Sequence, residues 1–99
     1  MTAIQGINIE DVRAVKDEGF DGYQIFFTSE GQVFCLLAGN RKKPFPLNVK
    51  HQFKEKDLCA LCGKSIYPAP YGQQLCTYFN GRQNGLLKEL MELYPAQFT

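Results

Sequence analysis

No apolar run in the sequence approaches the roughly 18 residues of a membrane-spanning helix, so no such span is expected. The stretch Met1–Gly19 lacks a basic start followed by an apolar core; a secretory signal is therefore not expected, and a cytoplasmic location is. Internal repeats and low-complexity segments are missing. So are a G-x-S-x-G elbow, a glycine-rich phosphate loop ending in Lys-Ser/Thr, and an H-E-x-x-H pair. His51 is the one histidine in 99 residues. A nucleophilic Cys–His pair through it has no sequence feature in its favour. These absences make a non-enzymatic protein the expectation.

The rest of the composition is that of one small globular unit. With 44% apolar and 21% charged residues, the chain is neither disordered, collagen-like nor a coiled coil. A single domain over 1–99 is expected. The net charge of +1 conceals a segregation. Residues 1–30 hold two basic side chains against six acidic ones, and residues 41–64 hold seven basic against two acidic. An acidic first third and a basic middle allow local polyanion binding without an overall basic charge; alternatively, the two regions face each other or water.

Along the chain, Asn8 is placed to cap a helix over 9–18. Ile9, Val12 and Val15 would form its inward stripe, and Gly19 its left-handed stop. Tyr23–Thr28 and Gln32–Ala38 read as two strands joined by a turn at Ser29-Glu30-Gly31. The second run barely alternates, which implies cover on both faces, and places Cys35 in it as a small buried residue. Arg41–Leu47 is a basic, extended connector with two prolines. Residues 48–56 fit a strand or a loop, and 57–83 are irregular and rich in Gly, Pro, Tyr and Cys. A last helix over 84–94 would be capped by Asn84 and stopped by Pro95, with Leu86, Leu87, Leu90 and Met91 facing a core. The expected fold class is α+β. Residues 1–47 supply helix, hairpin and connector, and 48–99 a metal-stapled segment and the final helix.

The chemistry lies in Cys59-Ala-Leu-Cys62-Gly63-Lys64. Two thiolates three residues apart share a tetrahedral zinc if the chain turns tightly, and a glycine after the second supplies the backbone freedom. A redox pair would need the first cysteine at the start of a helix, and the Gly63 to Pro68 stretch breaks one. Cys76 is the natural third ligand. For the fourth, His51 gives His-x7-Cys-x2-Cys-x13-Cys, whereas Cys35 would give an all-sulfur site. One structural zinc per chain, held by Cys59, Cys62, Cys76 and His51, is the preferred reading.

Asp57-Leu-Cys59-Ala-Leu-Cys62-Gly63-Lys64-Ser-Ile66 resembles the first zinc knuckle of treble-clef and zinc-ribbon domains. Gln74-Leu75-Cys76-Thr-Tyr-Phe79-Asn80-Gly-Arg82, with a helix after it, is similar to the second knuckle of HNH-type treble clefs. The resemblance covers residues 57–94. It implies a ligand three positions after Cys76, where this chain has Phe79. It also implies a catalytic histidine between the knuckles, yet no His, Asp or Glu lies between Cys62 and Cys76. Hydrolysis by that route has no general base here.

Two functions follow from these residues. One is nucleic-acid binding through Arg41, Lys42, Lys43, Lys50, Lys54, Lys56 and Arg82, with Lys64 nearby and Phe45, Phe53, Tyr67 and Tyr71 as stacking rings. The other is a protein-interaction module, such as an adaptor, inhibitor or small regulator of a phage or other mobile element, using aromatic and arginine anchors. Neither involves a membrane or a small-molecule substrate.

Overall fold

The structure is a computed structural model that describes residues 2–4, 7–17, 21–40, 42–53, 55–67 and 75–98. An antiparallel meander dominates it, with strands β1 (Thr2–Ile4), β2 (Ile7–Asp17), β3 (Gly22–Ser29), β4 (Gln32–Gly39) and β5 (Phe45–His51) lying in chain order. A two-stranded knuckle follows, β6 (Asp57–Leu58) with β7 (Ser65–Ile66). Helix α1 (Gln83–Leu93) and a 3-10 turn (Pro95–Phe98) complete the chain. No helix among the described residues is long and apolar enough to cross a membrane.

The helix expected over 9–18 is not formed, and the α+β layout that opened with it is corrected to a mostly β fold. Residues 9–17 lie within β2, and the reason is a bulge; Glu18 and Gly19, the expected stop, lie outside the described residues. Glu10 pairs with Thr28 and Arg13 with Phe26, so Asp11 and Val12 together face the single residue Phe27. Asp11 takes the left-handed conformation (φ 54°) that admits the extra residue. The bulge shifts the inward parity of the strand from Ile7 and Ile9 to Val12 and Ala14. Ile9 and Val12 therefore share a face at a spacing of three, which imitates a helix. Val15, the third member of the imagined stripe, is 42% exposed.

The hairpin between β3 and β4 forms as expected. Ser29 pairs with Gln32, and Glu30 and Gly31 make a two-residue turn with φ of 52° and 74°. β4 is paired on both sides and buries Phe34, Cys35, Leu36 and Ala38, which accounts for its lack of alternation. The 48–56 stretch resolves into the end of β5 and a loop.

One face of the sheet carries Ile25, Phe27, Phe34, Leu36 and Val49, and α1 lays Leu86, Leu87 and Leu90 against that core. Phe27 and Phe34 stack at 5.7 Å between ring centroids, and Phe79 meets both edge-on at 5.3 and 5.1 Å. The helix begins one residue earlier than expected. Arg82, not Asn84, is its N-cap residue, without a side-chain cap bond; Tyr94 N–H closes the C-terminus on the Leu90 carbonyl. The 3-10 turn then covers β2, with Ala14 N–H donating to Gln97 Oε1 at 3.2 Å.

If Asp11 is the extra residue of the bulge, deleting it leaves Val12 alone opposite Phe27 with Ile9, Val12 and Ala14 still inward, so the fold is expected to survive with a loss of under about 2 kcal/mol. Asp11→Gly keeps the bulge and changes stability by less than about 1 kcal/mol. Urea unfolding of both variants checks this.

Candidate metal centre

His51, Cys59, Cys62 and Cys76 come together: one ligand atom from each lies within 4.8 Å of every other. Cys59 Sγ and Cys76 Sγ are 4.0 Å apart, and Cys62 Sγ and His51 Nε2 are 3.5 Å apart. A tetrahedron around zinc, with Zn–S near 2.3 Å and Zn–N near 2.0 Å, has edges of about 3.5–3.8 Å. The cluster is compatible with a zinc site, and Nε2 is the imidazole atom facing the thiols. His51, Cys59 and Cys76 are buried and Cys62 is half-buried.

Each ligand is delivered by local backbone chemistry. His51 ends β5 on the face that carries Val49, because side chains two apart in a strand point the same way. Its ring packs between Phe34 and Phe53, at 5.7 and 5.2 Å. Cys59 and Cys62 sit in the knuckle turn. Cys59 N–H donates to the Lys64 carbonyl, Gly63 N–H to the Cys59 carbonyl, and Cys62 N–H to Cys59 Sγ at 3.4 Å. Gly63 takes φ 74° there, which explains the glycine after the second cysteine. Cys76 is held against β5 by its N–H, which donates to the Val49 carbonyl at 2.9 Å.

Two side-chain amides that the sequence did not single out fix these pieces to the sheet. Asn80 Oδ1 accepts from Val49 N–H at 3.2 Å, and Nδ2 donates to the carbonyls of Val49 (3.0 Å) and Cys76 (2.7 Å). Asn80 thus pairs with the outer edge of β5 as a further strand residue would, while holding the turn that bears Cys76. Gln32 does the same for the knuckle. Its Nε2 donates to Asp57 Oδ2 (3.1 Å) and the Leu58 carbonyl (2.7 Å), and its Oε1 accepts from Ala60 N–H (2.9 Å). Asn80 falls within the motif likened to a second knuckle, but nothing in the sequence gives the amide its role.

Phe79, where that resemblance implies a ligand, is a core residue at 1% exposure. His51 occupies the fourth position instead, from another element. Cys35 does not join the cluster. It pairs in register with Phe26 and Lys50, on the sheet face opposite His51, and is buried there.

Without a cation the thiols repel one another as thiolates. Burial pushes the Cys76 thiol up to about 12, with the charges of Cys59 and Cys62 adding to it. Burial also raises Cys59, against hydrogen bonds from the N–H groups of Cys62 and Leu61. Burial acts upward on Cys62 too, but hydrogen bonds from Lys64 N–H and from neighbouring side chains bring it below the usual thiol range. A divalent cation held by the four would supply the missing positive charge.

Among the described residues, the cations expected to bind nucleic acid lie at different ends and faces of the sheet. Lys42 and Lys43 precede β5, both N–H groups bonded to Asn40 Oδ1, whereas Lys56 follows β5 by five residues at its other end. Lys50 lies on the sheet face away from α1, and Arg82 stands at the start of α1, its guanidinium 4.4 Å from the Tyr78 ring. Arg41, Lys54 and Tyr71 lie outside the described residues. Among the proposed stacking rings, Phe45 lies on Gly39, 2.8 Å from where a Cβ would stand, and Phe53 packs on His51. Tyr67 is 48% exposed and has Lys56 Nζ 5.0 Å from its ring centre.

Comparison of the chain with family models, with curated proteins and with solved structures found no match.

Asn80→Ala leaves the Val49 N–H without its acceptor and releases the turn bearing Cys76. It is expected to lower stability by about 1–3 kcal/mol and metal affinity by about tenfold or more. Cobalt titration followed by absorbance reads the second effect directly. Because the thiols must lose protons to bind metal, apparent affinity rises with pH, by about tenfold per pH unit for each proton displaced. Competition with a chromophoric chelator at pH 6, 7 and 8 measures the slope.

Proposed function

We propose that the chain is a non-enzymatic binding module stapled by one structural zinc ion. The observation that carries this reading is the convergence of four ligands, three thiols and one imidazole, within 4.8 Å. A donor set of sulfur and imidazole without carboxylate suits zinc over calcium or magnesium. Four protein ligands fill a tetrahedron and leave no open position for substrate, as in structural rather than catalytic sites. The zinc would bind the end of β5, the knuckle and the turn before α1 into one unit, and so close the core over Phe79.

The partner we favour is a protein. The cations once grouped as a phosphate-binding set are divided between the two ends of β5 and the two sides of the sheet. Of the rings that would stack on bases, Phe53 is committed to packing on His51 and Phe34, and Phe45 lies half-exposed on Gly39. Nucleic acid is the second reading, and it rests on the Lys56–Tyr67 pair beside the knuckle and on Lys64 in its turn.

Native mass spectrometry of reduced protein is expected to show one zinc per chain, with chelation abolishing the cooperative thermal transition. A metal-free chain that melts cooperatively would contradict the staple. On heparin at about 50 mM salt, where phosphate-type contacts are strongest, a protein-binding module is expected to elute early. Firm, salt-sensitive retention would favour the nucleic-acid reading instead.

A further inference from the structure

The sheet face opposite α1 carries a groove that borders the ligand cluster at Phe53. It has a volume of about 870 Å³, with Phe26 and Val33 on its floor, and Gln52, Phe53, Glu55, Lys56 and Asp57 along one side. A second hollow of about 470 Å³ shares Arg13, Phe26 and Val33 with it and reaches the β2 bulge at Asp11. The two together cross β2, β3 and β4 to the loop after β5. Three strand spacings amount to about 14 Å, the length of roughly four extended residues.

The charges in the groove select an occupant. Carboxylates outnumber cations, with Asp11, Glu55 and Asp57 against Arg13 and Lys56. Both cations already lie over rings of this chain, Arg13 5.3 Å from the centre of Phe26 and Lys56 5.0 Å from that of Tyr67. Asp57 accepts a hydrogen bond from Gln32. Asp11 and Glu55 are exposed, one in the hollow at the bulge and the other in the groove beside the loop. Asp11 also holds a left-handed backbone there (φ 54°), a conformation that glycine adopts at lower cost. A polyanion would meet acidic groups at both ends. A segment with an apolar centre and basic ends meets complementary surface throughout.

The metal and the groove share a wall. The 52–57 loop runs between His51 and Cys59, both in the ligand cluster. Apart from the ligands, it is tied by Gln52 N–H to the Val33 carbonyl and by Gln32 to Asp57 and Leu58. We propose that this groove binds an extended protein segment whose apolar centre is flanked by basic residues, and that bound zinc favours this binding by fixing the groove's loop wall. The coupling rests on the zinc reading above. By linkage, the segment raises zinc affinity by the factor by which zinc raises its own.

The test uses the full zinc-loaded chain, labelled with nitrogen-15, and three probes. One is an octapeptide with four apolar residues between two lysine pairs, another is its twin with glutamates for lysines, and the third is oligothymidylate. The lysine peptide is expected to shift the amide signals of Asp11 to Arg13, Phe26, Val33 and Gln52 to Asp57, and to bind more tightly than its twin. The double variant Asp11→Asn/Glu55→Gln should bind it about threefold more weakly, with its zinc content and fold unchanged. Zinc should dissociate more slowly into a chelator when the peptide is present. Equal binding of the two peptides, shifts confined to other surfaces, or oligothymidylate occupying the same residues would each overturn the groove assignment. An unchanged zinc off-rate with peptide bound would overturn the coupling. A chain that carries no zinc refutes the staple, whereas a zinc-loaded chain indifferent to the lysine peptide refutes this inference alone.

Discussion

The convergence of three cysteines and one histidine at the end of β5 is the constraint that ties the second half of the molecule to the sheet. His51 arrives on a strand, Cys59 and Cys62 in a tight knuckle, and Cys76 in a turn laid against the strand edge. Among the described residues, the stretch from Gln52 to Arg82 contains two strands of two residues each, little regular structure to organise it. Without a metal the raised thiols of Cys59 and Cys76 stay protonated; as thiolates, groups 4.8 Å or less apart would be costly unless a cation neutralised them. A bound metal would make the cluster the link that holds the stretch to the sheet, as small domains with limited cores commonly require.

The sheet prepares this site from the other side. The β2 bulge keeps Ile9, Val12 and Ala14 all facing the core, so a long strand covers the helix side despite an irregular sequence. The stack of Phe27, Phe34 and Phe79 then forms a floor on which His51 and Phe53 rest. Asn80 and Gln32 connect the two halves. Each is an amide that satisfies backbone groups which a missing neighbour strand would otherwise have satisfied. Their position between sheet and ligands makes them orienting groups for the metal site.

The legible and illegible parts of the sequence divide along physical lines. Local signals were readable: the Glu30-Gly31 turn, the Cys-x-x-Cys-Gly knuckle and the Leu-rich final helix each depend on residues close in sequence. His51 was readable because ligand chemistry is restrictive and there is one histidine. The N-terminal element was misread because a bulge changes the parity of a strand by one residue, so that Ile9 and Val12 acquire a helical spacing. The roles of Phe79, Asn80 and Gln32 were hidden because each depends on contacts between distant segments. The same holds for the basic residues, whose closeness in sequence gave no sign that β5 would carry them to separate ends and faces.

The most direct test of this account is X-ray absorption at the zinc edge on purified, metal-loaded protein, for the natural chain and for His51→Ala. The account predicts three sulfur ligands at about 2.3 Å and one nitrogen at about 2.0 Å, with the nitrogen shell lost in the variant. Four sulfur ligands would place Cys35 in the site and contradict the β4 register. A shell dominated by oxygen, unchanged in the variant, would show that the metal is bound elsewhere and that the His51–Cys59–Cys62–Cys76 cluster is not the staple.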